Sequence, residues 1–469
     1  MGSQMALENH NYNLSTSRAQ ENTDAGNRDR FVSAYKDELR FVVETKQWLE
    51  KRGMVWVPAT PGSLQARALS ITHQIEADAN EVQDPNIKAA TLSWVKRSQS
   101  CSKLNAMISM SSKWPAMEVR SNQFDSAIHK LATDNAVVNL AGSQCSDQIE
   151  NPFWRRKANA KWDENAECPK FSLFLEEVFC GDPDLIDWVQ LALGYSITGS
   201  TDEQVMFLAY GNGANGKSTL LELVKEIIGD FAQVANINEF MSKDKHGIRS
   251  LEQVAVLDGV RLAIASEIEG NGQLNEALMK RLTGGDTLTA ARLHQSQFTF
   301  KPQFKIWMLV NYLPRSQDNS DGFWRRIRVI PFNAKFIGDK RRIDLKQQLL
   351  EERDGILNWL VTGARRWHAR QLQRGGSGLG ACKAVEDATA AFRRKNDPLR
   401  DFLDACVTYN PSGKVPAGAL YEAYRNWSEF NALGRTLSSA SFAQNLQSEG
   451  FHKKRTSNGI HYSGLELNK

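Results

Sequence analysis

Lys217 and Ser218 close the stretch Gly211-Asn212-Gly213-Ala214-Asn215-Gly216-Lys217-Ser218, which fits the spacing G-x-x-x-x-G-K-[ST]. An ammonium and a hydroxyl side by side after a glycine-rich loop are groups suited to a triphosphate and its Mg²⁺. The glycines let backbone N–H groups converge on phosphate oxygens, and the helix that follows adds the partial positive charge of its N-terminus. This chemistry needs a strand before the loop and a helix after it. The apolar run Val205 to Ala209 supplies the first, and Leu220-Leu221-Glu222-Leu223-Val224 the second. Gly211, Gly213, Ala214, Asn215, Gly216, Lys217, Ser218 and Thr219 are therefore expected to wrap Mg²⁺-ATP. Lys217 reaches the β and γ phosphates and Ser218 ligates the metal.

Three further groups suit the same chemistry. Arg261 to Ser266 reads as a short buried strand ending in Glu267, a carboxylate placed to position Mg²⁺ or to polarise the attacking water. Ser266 stands where an aspartate usually precedes such a glutamate, so metal positioning falls to Ser218, Glu267 and water. A second buried run, Lys305 to Val310, ends in Asn311, whose amide both donates and accepts and suits holding a lytic water. Asn at a strand end is also a common turn former. Arg325 and Arg326 follow within Phe323 to Phe332. Hydrolysis needs a cation at the developing γ-phosphate charge, and in ring ATPases an arginine of the neighbouring subunit can supply it.

The elements around these residues are legible in outline. Residues 1–28 are rich in Asn, Ser, Thr and Gln and read as a disordered leader. From Asp29 to about Thr133 apolar positions recur at helical spacing (Leu39, Val42, Val43, Trp48 and Leu49, then Leu92, Trp94, Val95 and Leu104), predicting a mainly helical N-terminal or collar domain over 29–200. Its last part is a helical segment, Phe171 to Tyr195. The α/β core spans 201–370. Within it, Leu274 to Asp286 is a helix closed by Gly284-Gly285. Two extended runs follow, Thr287 to Leu293 and Phe298 to Lys301, predicting a hairpin with Arg292 and His294 near its tip and Lys280, Arg281, Lys301 and Lys305 nearby. Residues 371–396 are a linker and a helix, with Gly375 to Gly380 as a flexible link. Over 397–469, three helical patterns precede two short extended pieces turned by Asn458-Gly459, which predicts a winged helix. Lys453, Lys454 and Arg455 on the wing strand can meet phosphates, although winged helices also bind protein.

Composition excludes little. The chain of 469 residues has room for about three domains, and its net charge of +4 does not by itself announce a nucleic-acid binder. No apolar run reaches the roughly 20 residues of a membrane span, and the polar start lacks a signal-peptide core. The cysteines at 101, 145, 168, 180, 382 and 406 never approach C-x-x-C spacing. They read as reduced and unligated.

Taken in order, G-N-G-A-N-G-K-S-T, A-I-A-S-E-I-E, L-M-K-R-L-T-G-G-D-T-L-T-A-A-R, W-M-L-V-N and W-R-R-I-R-V-I-P-F closely resemble superfamily 3 helicases of the primase-helicase kind found in phages, plasmids and large DNA viruses. The resemblance covers roughly residues 35–467. It implies an AAA+ core that assembles as a homohexameric ring on single-stranded or forked DNA, with the hairpin at 292–297 projecting into the channel. Such chains often carry a primase or polymerase domain ahead of the helicase; here none is obvious, so a separate primase or polymerase becomes a partner. The expected activity is ATP-driven DNA unwinding or translocation during replication of a mobile element, in the cytoplasm of a bacterial host. The alternative is an initiator or loading factor that binds DNA without processive unwinding.

Overall fold

The computed structural model describes residues 21–142, 153–236, 252, 254–266, 273–291, 297–316, 320–338, 342, 344–396, 398–431, 436–456 and 459–468. They divide into two compact units, one drawn from 1–127 with 147–157 and the other from 128–146 with 158–469.

In the first unit, helices α1 (Asp24–Tyr35), α2 (Pro61–Glu81), α3 (Pro85–Ser98) and α4 (Cys101–Ser111) make the N-terminal region helical, as expected. Their starts follow from sequence. Thr60 and Asp84 accept backbone N–H bonds at the N-termini of α2 and α3, and each is followed by proline. Between α1 and α2 the expectation fails. Leu39–Val42 (β1), Gln47–Arg52 (β2) and Val55–Pro58 (β3) are strands, and with Glu118–Val119 (β4) they form a sheet of order β3-β2-β1-β4. Leu39, Val42, Trp48 and Leu49 are thus sheet residues. Over so short a run the helical spacing is ambiguous, and the turn that splits it rests on left-handed Lys46 (φ 52°), a residue type that gives no turn signal.

The second unit opens with a hairpin, β5 (Lys130–Ala132) and β6 (Val137–Asn139). The expected single helix over 171–195 is two, α5 (Pro169–Val178) and α6 (Pro183–Ile197), because Cys180 and Gly181 turn left-handed and Asp182 caps the second. Next come β7 (Met206–Tyr210), α7 (Lys217–Ile228), β8 (Ala232–Asn236), β9 (Leu262–Ser266), α8 (Glu276–Thr283), β10 (Leu288–Ala291), β11 (Gln297–Phe300), β12 (Lys305–Val310), α9 (Asp321–Trp324) and β13 (Ile327–Pro331). Five of these strands form one sheet of order β13-β7-β12-β9-β8, and every neighbouring pair is parallel. Buried on both faces, such strands read as continuous apolar runs, and all six residues of β12 are buried. The parallel arrangement gathers every strand's C-terminal end along one edge, where open α/β sheets place their ligands.

Beyond the sheet, α10 (Leu345–Leu350) and α11 (Arg353–Arg374) precede α12 (Lys383–Lys395). Helix α11 packs closely on α6: a Cβ on Gly194 would lie 2.2 Å from the Ala364 nitrogen. The glycine-rich stretch after α11 is not a free link. The carboxylate of Glu203 accepts from Trp367 Nε1 (2.7 Å), Ser377 Oγ (2.6 Å) and Gly378 N (2.7 Å), and Leu379 is buried. Composition alone signals flexibility there, but the distant acidic partner removes it.

The last elements are α13 (Pro398–Cys406), β14 (Val407–Pro416), α14 (Ala417–Phe430), α15 (Ser439–Ser448), β15 (Lys453–Thr456) and β16 (Gly459–Leu467). They have a core of their own, with Phe402, Leu420, Tyr424, Phe442, Leu446 and Leu465 buried. The sheet has three strands, β14-β16-β15, rather than the two expected. Strand β14 escaped notice because Asn410-Pro411-Ser412-Gly413 reads as a turn. The strand carries it as an irregularity between Tyr409 and Lys414.

Candidate functional site

Strand β7 runs into the loop 211–216, and α7 leaves it. Gly213 and Gly216 have φ of 84° and Ala214 of 46°, so three left-handed residues in four fold the backbone back on itself. Gly216 is the N-cap of α7, where no side chain caps the first turn. The N–H groups of that turn are left for an outside acceptor. Gly211 has no room for a side chain: a Cβ would lie 2.3 Å from both the Phe332 oxygen and Asn215 Nδ2.

Lys217 is only 4% exposed. Its ammonium donates to the Gly211 carbonyl, to Asn215 Oδ1 (3.0 Å) and to Asn311 Oδ1 (3.2 Å). Asn311 follows β12 directly, and β12 lies beside β7 with Val310 opposite Tyr210. The two residues meet because adjacent parallel strands end together. All three acceptors are neutral, and burial lowers the lysine's pKa from its usual value. A buried ammonium among neutral dipoles gains most from an incoming anion. With the uncapped start of α7 beside it, the site has the donor set a phosphate group requires. Ser218 is exposed on the first turn of α7 and Thr219 is half-buried. On the far side of β12, Ser266 ends β9 opposite Leu309. Glu267, next in sequence, lies outside the described residues.

Arg325 and Arg326 are not brought to this site. They precede β13, and the Arg326 carbonyl accepts from Met206 N (2.8 Å) at the start of β7, the opposite end from the loop. At about 3.3 Å per residue, the length of β7 separates them from it by roughly 17 Å. Arg325 is exposed and donates to Gln204 Oε1 (2.9 Å). Arg326 donates from Nη1 to the Gly322 carbonyl, while its Nε is buried without an acceptor. Burial first, then Arg325, lowers its pKa, and Asp286 opposes the shift.

The other basic residues disperse. Strands β10 and β11 pair antiparallel from Leu288–Phe300 to Ala291–Gln297, as the predicted hairpin requires. Arg292 and His294 at its tip lie outside the described residues. Lys280 on α8 donates to Ser320 Oγ (3.2 Å). Lys305 is not a surface charge at all: it is 1% exposed, its ammonium donating to the carbonyls of Thr198, Ser200 (3.2 Å) and Gln303 (2.9 Å). Lys453, Lys454 and Arg455 are exposed on β15. Opposite them on β16 stand Tyr462, His461 and Ile460, so Lys454 faces away from the other two. Sequence reasoning missed the bond from Asn215 Nδ2 to the Phe332 carbonyl (3.1 Å) and the pairing of Arg325 with Gln204. Only the spacing of Asn215 between two glycines hinted at the first.

Three family profiles match successive parts of the chain. The family described as "D5 N terminal like" matches residues 28–180, a family of unknown function (DUF5906) matches 209–326, and "Poxvirus D5 protein-like" matches 394–464. Two of the three profiles carry the D5 description, and the chain resembles primase-helicases of the D5 type. The chain is 29% identical over 273 residues to a protein of Acanthamoeba polyphaga mimivirus that bears a helicase name, covering 54% of this chain and 28% of that one. A helicase-named protein of Frog virus 3 (isolate Goorha) is 26% identical over 283 residues, covering 57% and 29%. A primase-named protein of African swine fever virus (isolate Pig/Kenya/KEN-50/1950) is 23% identical over 282 residues, with the same coverage. The chain thus spans under a third of the length of these relatives. Its fold is shared with the apo C-terminal region of NrS-1 at 12% identity and a TM-score of 0.51, over 92% of this chain and 97% of that one. Among the described residues no helix is long and apolar enough to cross a membrane.

Proposed function

We propose that this chain is an ATP-dependent DNA helicase or translocase that works in replication as a homohexameric AAA+ ring. The observation that carries this is the meeting of Lys217 and Asn311 at a left-handed glycine loop, while Arg325 and Arg326 stand roughly 17 Å away by strand length. A nucleotide site whose arginines sit at the wrong end of its own sheet is complete only when a neighbouring copy supplies them. That supports hydrolysis at subunit boundaries.

In this reading the loop amides and Lys217 hold the phosphates, Ser218 and Glu267 hold Mg²⁺, and Asn311 orients the attacking water. Mg²⁺ would neutralise charge on the transferred phosphoryl group. The order α13-β14-α14-α15-β15-β16 supports a winged helix, with Lys453, Lys454 and Arg455 at its wing. The hairpin β10–β11 would carry Arg292 and His294 to single-stranded DNA, with Lys280 on the neighbouring helix. The relatives' helicase and primase names support a replicative role, and a primase acting as a separate partner fits them too. Those relatives are viral, so a bacterial cytoplasm gains no support from them.

The test is strand displacement on a forked duplex with Mg²⁺-ATP, run beside DNA-stimulated ATP hydrolysis. Unwinding coupled to hydrolysis is the expected result. DNA-stimulated hydrolysis without displacement would instead assign the chain to initiation or loading, and absence of both would overturn the proposal.

A further inference from the structure

Asn215 belongs to the expected phosphate loop, but its bonds do something the loop does not require. It is 3% exposed, and its amide is held between two partners of fixed chemistry. Lys217 Nζ, only a donor, faces Oδ1 at 3.0 Å, and the Phe332 carbonyl, only an acceptor, faces Nδ2 at 3.1 Å. Those partners leave the amide one orientation. Phe332 immediately follows β13, its own N–H donates to the Tyr210 carbonyl (2.7 Å), and Phe336 N donates to the Ala214 carbonyl (2.7 Å). Gly211 is the second observation. Its missing Cβ is what lets Asn215 and the Phe332 oxygen meet, since that carbon would lie 2.3 Å from both.

From these contacts we infer that Asn215 is a positioning residue that couples phosphate at Lys217 to strand β13, and through it to Arg325 and Arg326; this rests on the nucleotide reading above. A phosphate oxygen is a stronger acceptor for the ammonium than a neutral amide, so its arrival draws Lys217 Nζ away from Oδ1. A buried carbonyl oxygen left without its donor is costly, and the planar amide reorients to recover one. Because Nδ2 belongs to the same plane, its hold on the Phe332 carbonyl changes at the same moment. Strand β13 is a short hydrogen-bonded rod paired along β7 from Ile327 to Pro331. A shift at its Phe332 end is therefore felt where the Arg326 carbonyl meets Met206 N. Each subunit would thereby report its own nucleotide state through the arginines it offers to its neighbour.

Hydrogen exchange in the full chain tests this, with and without saturating Mg²⁺-ATPγS, alongside direct titration of the same nucleotide. In the wild type, nucleotide should change exchange at Met206 and across residues 325–328. Asn215→Ala should still bind, weakened roughly threefold to tenfold as for one lost hydrogen bond, yet lose that distant change. Asn215→Ser, which fits the same space, serves if the alanine variant does not fold. A variant that binds and still shows the wild-type change overturns the coupling, and one that no longer binds at saturation reduces Asn215 to a builder of the loop. A wild type that fails to bind Mg²⁺-ATPγS removes the nucleotide reading itself, and the coupling with it.

Discussion

The two ends of the five-stranded sheet are built on opposite principles. At the C-terminal end one buried lysine is surrounded by neutral acceptors, and the first turn of α7 has no side-chain cap. At the N-terminal end two arginines stand together, one exposed on Gln204 and one half-buried with an unpartnered Nε. The first end is a receptor for negative charge. The second is positive charge held roughly 17 Å from the phosphate loop by the length of β7. On the function proposed above, the contrast teaches that a single chain would carry both halves of a hydrolytic site without joining them.

The largest effects should come from breaking either half. Arg326→Ala should lower turnover by about 10³–10⁵, the range for an arginine that meets the transferring phosphoryl group. Lys217→Ala should take hydrolysis to background, a loss of at least about 10²–10³. Mixed and allowed to exchange subunits, the two inactive proteins should regain some hydrolysis wherever an intact Lys217 meets an intact Arg326. No recovery after verified mixing would collapse the contrast between the two ends, or move the role to Arg325.

A smaller effect separates the lysine from its neighbour on β12. Asn311→Ala leaves the loop and its glycines in place, so nucleotide binding should persist while turnover falls about a hundredfold, as when one oriented donor is lost. Comparing nucleotide titration with steady-state hydrolysis checks it, and equal losses in both would make Asn311 a binding residue instead.

Replacing Arg292 and His294 together with Ala should spare basal hydrolysis while weakening single-strand binding and the steepness of its salt dependence. Filter binding across a salt series reads this. Unwinding at the wild-type level would move the DNA path elsewhere.

The smallest effects concern pH and distinguish the two compact units. In the first, the hydroxyl of Ser63 and the guanidinium of Arg52 hold the Glu50 carboxyl well below its ordinary 4.5, at about 2. That stabilisation is complete above the unfolded value and is lost as pH falls from 4.5 towards 2. In the second, burial and then the His368 ring, centred 5.1 Å away, lower the pKa of His129. Its neutral form is the favoured one, so stability is full above pH 6.5 and declines as pH falls below it. Thermal melts should show the second unit weakening first on acidification, by roughly 2–4 °C, and His129→Phe should flatten that slope. A first unit that softens already at pH 6 would break the distinction.

Legibility differed along the chain for physical reasons. Buried parallel strands announce themselves as continuous apolar runs, so the sequence places β7, β9 and β12 to within a residue or two. The small N-terminal sheet and β14 were hidden because their turns use Lys46 and an internal Asn-Pro-Ser-Gly that local patterns assign otherwise. The partners of Lys305 are not legible in the sequence, because its three carbonyl acceptors come from loops distant in sequence or from just before the strand.

The sequence by itself determined the chemistry on offer: a glycine loop ending in Lys217 and Ser218, an amide at Asn311, paired arginines, and the strand and helix that flank the loop. These depend on residue type and short-range spacing, which are local properties of the chain. The tertiary structure alone decided which of them meet. Strand order and parallel register put Asn311 against Lys217 and sent Arg325 and Arg326 to the far end of the same sheet. Whether two strands end together is settled by their pairing, and pairing is a relation between segments that no single segment encodes.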